Sequence, residues 1–166
     1  MKFLIFTITA FFFFTAASAQ ESSGPAAATQ SKPADPSTLG PPIPFLALLT
    51  PDEEIAPTVS NGTGRAEFSL NRTDLKLSWK VTFGGLTSGV TGAHIHGPER
   101  PGGTTAPIID LAPNGLKSPL EGSVILDDIQ LLYFLNGRVY VNITTAKYKD
   151  GKLRGQIERI LPTAKP

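Results

Sequence analysis

Between residues 75 and 83 the chain reads LKLSWKVTF, with Leu75, Leu77, Trp79, Val81 and Phe83 alternating with Lys76, Ser78, Lys80 and Thr82. Successive side chains of a strand point to opposite faces, so this run predicts a strand with one packed face and one in water. The same period recurs in GRAEFSL, with Ala66, Phe68 and Leu70 inward, and NRTD between the two runs reads as a hairpin loop. RVYVNITT groups Val139, Val141 and Ile143 opposite Arg138, Tyr140, Asn142 and Thr144, and leads through the Asp150-Gly151 pair, suited to a tight turn, into the strand LRGQIERI. One segment breaks the period. In DDIQLLYFLNGR, Ile129, Leu131, Leu132 and Leu135 suit a helical face, with Asp127 or Asp128 as N-cap and Asn136-Gly137 as the stop. Many short strands with turn residues between them and one small helix predict an all-β antiparallel sandwich or barrel.

The chain has no cysteine. Disulfides, thiol catalysis, iron–sulfur clusters and cysteine-ligated zinc are therefore excluded, and stability has to come from a packed core. The first residues, MKFLIFTITAFFFFTAASAQ, pair Lys2 with an apolar run and an A-x-A pattern at Ala17 and Ala19, which reads as a secretory signal peptide over residues 1–19. The alternative, a membrane anchor, is disfavoured because the apolar run falls short of the roughly 20 residues that span a bilayer and no basic stop-transfer cluster follows. Export is expected, to the periplasm, cell envelope or extracellular space, with no transmembrane segment after cleavage.

Loss of the leader removes Lys2 and no acid, leaving 14 basic residues against 14 acidic ones. Such a balance gives no footprint for nucleic acid or anionic lipid. Residues 20–43 are rich in Pro, Ser, Ala and Gly and read as a disordered linker, because a segment of this composition buries too little surface to offset its ordering entropy. The domain is expected over 44–161, followed by a short tail at 162–166.

The segments FLALLTPDEEIAPT, GRAEFSL, LKLSWKVTFGGLTSGVTGAHIHGP, GGTTAPIIDL and LLYFLNGRVYVNITTAKYKDGKLRGQIERI, in that order, closely resemble the CHRD domain, the module named for chordin and found also in exported bacterial proteins. The resemblance covers nearly all of 45–161, and GAHIHGP, LNGRVYVNITT and GKLRGQI carry it most specifically. It implies an immunoglobulin-like or superoxide-dismutase-like Greek-key β-sandwich that serves as a binding or structural module. Two positions depart from the family pattern: Thr144 stands where many members carry a histidine, and Lys152 stands where an acidic residue is usual.

His94 and His96, in AHIHGPERPGG, are the chain's only histidines. Residues i and i+2 of a strand share a face at roughly 6.6 Å, so two such imidazoles can converge on an ion with bonds of about 2 Å, a spacing also found in copper/zinc superoxide dismutases. Two imidazoles do not complete a protein metal site, for which zinc normally takes three protein ligands and an open position. Glu99, Asp110 and Asp150 are conceivable oxygen donors without a diagnostic spacing. The reading favoured by the residues is an exported, non-catalytic binding module without a cofactor, its partner an unidentified protein or an envelope or matrix component; the alternative is a copper- or zinc-binding protein, dismutase-like in its use of His94 and His96.

Candidate contact residues are Glu99, Arg100, Asn142, Thr144 and Arg154, and the favoured recognition loops are GPERPGG and FGGLTSGVTG, since binding residues often sit on loops held by a rigid scaffold. Arg65 and Arg154 could hold a carboxylate, although strand arginines are more often solubilising. PDEE at 51–54 reads as a solvated loop. Gly155 reads as a bulge or a point of close backbone approach. No nucleophile elbow or phosphate-binding loop occurs. Three N-x-S/T sequences start at Asn61, Asn71 and Asn142; the first two fall in expected turns, and a side-chain hydrogen bond is the plainer role for Asn142.

Overall fold

The computed structural model describes residues 39–56 and 61–161. The expected leader, most of the expected linker and the tail lie outside them. Among the described residues nine strands run in chain order as β1 (Ile43–Leu49), β2 (Thr63–Leu70), β3 (Lys76–Gly84), β4 (Val90–His96), β5 (Pro107–Asp110), β6 (Leu120–Ile125), β7 (Tyr140–Thr145), β8 (Leu153–Gln156) and β9 (Glu158–Arg159), with one helix, α1 (Asp128–Leu135), between β6 and β7. They form two antiparallel sheets, β6-β3-β2-β1-β9 and β5-β4-β7-β8, and the expected all-β sandwich is present. The first three strands form a meander; the chain then alternates between layers, so neighbours such as β4 and β7 are distant in sequence.

Register follows from the period-two pattern. Phe45, Ala47 and Leu49 of β1 face Phe68, Ala66 and Gly64 of β2, which face Trp79, Val81 and Phe83 of β3, so one face of the sheet is continuously apolar. It packs on Ala93, Ile95, Val141, Ile143 and Leu153 from the second sheet. Burying large aliphatic side chains stabilises by about 1.5–3 kcal/mol each, and a one-residue slip would turn a whole set into water. Trp79 Nε1 donates to the Leu111 carbonyl at 3.0 Å, which satisfies its one polar atom inside the core. Its ring lies across Gly122, where a Cβ would collide with it.

The two sheets join along one side. The backbones of Thr50 and Arg154 exchange hydrogen bonds of 2.9 and 3.0 Å, and a Cβ on Gly155 would collide with the Leu48 carbonyl, as expected of a close backbone approach. The chain then crosses between layers at Ile157, buried, whose N–H donates to Val139 O at 2.9 Å.

Four local expectations are corrected. Leu75 does not start the strand: it sits in the hairpin with φ 54°, while Asn71 Oδ1 and Asp74 Oδ1 accept from the N–H groups of Thr73 and Lys76. Asp150-Gly151 is not the tight turn; the chain reverses where Thr145 and Tyr148 exchange backbone bonds of 3.0 and 3.1 Å. Of the two expected N-caps it is Asp127 that caps the helix, in a capping box with Gln130, and Asn136 is its C-cap, but its buried face is set by Phe134. The Phe134 ring meets Phe45 at 5.7 Å and Phe68 at 6.3 Å, while Ile129, Leu132 and Leu135 are exposed. Both stripes of this helix are apolar, and the one that carries Phe134 turns inward, onto Phe45 and Phe68. Finally, Arg154 on β8, read as more often solubilising, is buried, as are Lys152 just before that strand and most of the side of β7 opposite the core.

Candidate binding face

The outer face of the four-stranded sheet owes its polarity to the same alternation that builds the core. With Ile95, Val141, Ile143 and Leu153 inward, the intervening side chains of β4, β7 and β8 share the opposite face. Register aligns Asp110, His94, Asn142 and Arg154 in one row across β5, β4, β7 and β8, and His96, Tyr140 and Gln156 in the next. Gly92 faces Thr144 in a third row.

Two chain segments cover this face. The loop after β4 reaches Arg154, whose Nη2 donates to Gly103 O at 2.7 Å, and His96, whose Nδ1 lies 2.8 Å from Thr105 O. The same loop receives the Tyr140 hydroxyl, which accepts from Thr105 N at 3.3 Å. Tyr140 is held between two planar groups. The His96 ring stacks on it at 5.0 Å and 15°, and the Arg154 guanidinium lies 3.6 Å from its centroid. Since β7 runs between β4 and β8, the two groups occupy opposite faces of the phenol ring.

The second cover is the segment after β1. Glu54 is buried against Gly151, where any Cβ would collide with its carboxylate, and this space for Glu54, rather than a tight turn, accounts for the glycine. The expectation of a wholly solvated PDEE loop is thereby corrected for its last residue. Burial pushes the Glu54 carboxyl up to about 7, against the pull of Arg154 and Lys152, which favour its charged form. Lys152 Nζ also lies 3.9 Å over the Tyr148 ring. For His96, burial is the largest influence and lowers its pKa, partly opposed by the Thr105 carbonyl and aided by the charges of His94 and Arg154.

Three side chains of this face, Glu54, Asn142 and Arg154, are each more than nine-tenths buried. Each keeps a buried polar atom without a partner in the protein: Glu54 Oε1, Asn142 Oδ1 and Arg154 Nη1. Gln156 Oε1, in the adjoining row, is in the same condition. Buried polar atoms are almost always hydrogen-bonded, so this set has capacity for a group from outside the chain that both donates and accepts.

The site residues named from sequence divide into three groups. His96 and Arg154 are bonded to the β4–β5 loop, and Asn142 lies beside Arg154 in the same row. His94 and Thr144 meet over Gly92, where a Cβ would sit 2.9 Å from both His94 Cε1 and Thr144 Oγ1. Arg100 is elsewhere, exposed in a groove with Leu132 and Arg138, while the Glu99 carboxylate accepts from Arg100 N at 2.8 Å. The favoured loops GPERPGG and FGGLTSGVTG lie at opposite ends of β4 and do not form one site: the first covers Arg154, and Gly89 of the second accepts from Ala146 N near the β7–β8 turn. Asn142 is buried, with Nδ2 donating to Asp150 O at 3.1 Å, so of the three N-x-S/T asparagines only Asn61 and Asn71 are exposed.

The two imidazoles share a face, as expected, with centroids 6.1 Å apart at 89°. Thr105 occupies His96 Nδ1 and leaves Nε2 as the ring nitrogen available to an ion. Asp110 Oδ1 already accepts from Ala112 N at 2.8 Å. Among the described residues no three His, Asp, Glu or Cys side chains are placed to hold one metal ion. A zinc site completed by three protein ligands therefore does not fit this face.

Sequence reasoning grouped Tyr140 with Asn142 and Thr144 without giving it a contact, and it missed Glu54, Lys152 and Gln156 as members of the face. The available sign was that, once Arg138 falls outside β7, its outward positions Tyr140, Asn142 and Thr144 include no charge, whereas a strand bathed in water usually carries some.

Comparison with known proteins adds one finding. The family profile described as CHRD domain matches residues 45–157, a span that takes in most of β1, all of β2 to β8, the helix and the face just described. No curated protein matches the chain.

Proposed function

We propose that this chain, which belongs to the CHRD-domain family, is an exported, non-catalytic binding module that recognises its partner through the outer face of its four-stranded sheet. Membership of the family suggests a binding module of the extracellular type. Among the described residues no helix is long and apolar enough to cross a membrane. The observation that carries the reading is the trio of buried, unpartnered atoms on Glu54, Asn142 and Arg154. The sheet holds Asn142 and Arg154 in register, the segment after β1 brings Glu54 to them, the β4–β5 loop reaches Arg154, and the half-buried His94 forms the accessible margin of the set.

The test is retention of envelope or matrix components on the immobilised chain, compared with His94→Ala and Arg154→Lys variants whose circular dichroism matches the parent. A component held by the parent and lost by both folded variants supports the reading. Equal retention by all three chains removes this face from recognition.

A second reading, copper or zinc held by His94 and His96, draws support from the Thr105 carbonyl, which orients the His96 ring as outer partners orient metal-binding imidazoles. Elemental analysis of the purified chain with and without His94→Ala plus His96→Ala separates the two readings. Stoichiometric metal that disappears in the double variant favours this one, and its absence from the parent chain discards it.

A further inference from the structure

Among the described residues nothing covers one apolar stripe of helix α1. Ile129, Leu132 and Leu135 are 60%, 58% and 44% exposed, and Ile125, at the end of the preceding strand, is 68% exposed. Scattered surface aliphatics need no explanation, but three at i, i+3 and i+6 on one short helix form a contiguous patch of the kind that marks an interface. The buried side of the helix is already used by Phe134, so no rotation could hide the stripe.

We infer that this stripe is the contact of a two-fold symmetric homodimer in which the α1 helices of two copies pack antiparallel, centred on Leu132. The pattern is self-complementary about that residue. In an antiparallel pair with its axis at Leu132, Ile129 faces Leu135 of the second copy and Asp128 faces Asn136, because each member of these pairs lies equally far from the centre. The ends carry opposite charge. Asp127 and Asp128 stand at the N-terminal end, while at the C-terminal end Arg100 and Arg138 share a groove with Leu132 and Asn136. At a rise of about 1.5 Å per residue, Asp128 and Asn136 are about 12 Å apart along the axis, so antiparallel packing brings the acids of each copy to the arginines of the other, twice. A parallel pair would set acid on acid and arginine on arginine. An eight-residue helix buries an area at the low end of specific interfaces, so the association is weak and concentration-dependent.

Sedimentation velocity on the exported chain between about 10 μM and about 1 mM tests this. The parent's weight-average sedimentation coefficient rises toward that of a dimer over the range. Leu132→Glu and Ile129→Lys, both at exposed positions and checked for an unchanged urea midpoint, stay monomeric throughout. Asp128→Arg weakens association by about tenfold, and adding Arg100→Asp to it restores dimerisation, because reciprocal charges are re-paired across the axis. A parent chain monomeric at every concentration, or a dimer indifferent to both apolar variants, overturns the proposal. Failure of the double charge swap to recover association overturns the antiparallel arrangement.

Discussion

The guanidinium of Arg154 lies 3.6 Å from the centroid of the Tyr140 ring, whose other face is stacked on His96. The three side chains come from three adjacent strands and tie β4, β7 and β8 together on the side away from the core. A cation on an aromatic face is worth about 2 kcal/mol or more when desolvated, and Arg154 is among the most deeply buried side chains of the protein.

Arg154→Lys keeps the charge but loses the planar fork, and with it the stack and the bond to Gly103 O. The expected cost is about 2 kcal/mol, read as a lower urea midpoint at unchanged slope. A midpoint equal to the parent's would show that Lys reproduces the contact.

Glu54 makes stability depend on pH. Its folded pKa of about 7 lies above the ordinary 4.5, so the folded state binds more protons than the unfolded state between those values. Its contribution is complete below 4.5 and is lost as pH rises through 7, a fall on the order of 2 kcal/mol after allowance for solvent screening. His96 acts in the opposite sense: its pKa is lowered from 6.5, so its contribution is present above 6.5 and lost as pH falls through the folded value. Glu54→Gln is therefore expected to be more stable than the parent at pH about 8, by on the order of 2 kcal/mol, and to keep only the loss on the acid side. Urea titrations from about pH 5 to about pH 8 read both slopes; a Glu54→Gln chain less stable than the parent at the alkaline end contradicts the account.

Gly155→Ala drives a methyl group into the Leu48 carbonyl, a backbone atom that cannot step aside without parting the two sheets. A loss of about 3 kcal/mol or failure to fold is expected. Gly89→Ala meets nothing within 4 Å and should change stability by less than about 0.5 kcal/mol. Expression level and thermal midpoint of the pair give the comparison, and similar values for both would refute it.

Phe134→Ala removes the one fully inserted side chain of α1 and should cost about 3–5 kcal/mol. Ile129→Ala on the exposed stripe should cost less than about 1 kcal/mol, most of it absent because the side chain is not buried in a single copy. Chemical denaturation at low protein concentration measures both, and the reverse order would mean that the helix is rotated.

The sequence by itself determined the layered architecture and which side chains enter the core, because alternation is a property of the extended backbone: Ala66, Phe68, Leu77, Trp79, Val81, Val141 and Ile143 are all buried as their spacing requires. It also determined that His94 and His96 share a face and that α1 starts at the Asp127-Asp128 pair, since both follow from residues within a few positions of each other. Only the tertiary structure decided what covers the outer face. Glu54 and Gly103 come to Arg154, and Thr105 to Tyr140, from far along the chain, and no local period records which loop folds over which strand. Likewise, only packing chose Phe134 over the Ile129–Leu132–Leu135 stripe. Local patterning states how apolar each side of an element is, but the side that turns inward is set by the cavity that the other strands leave for it.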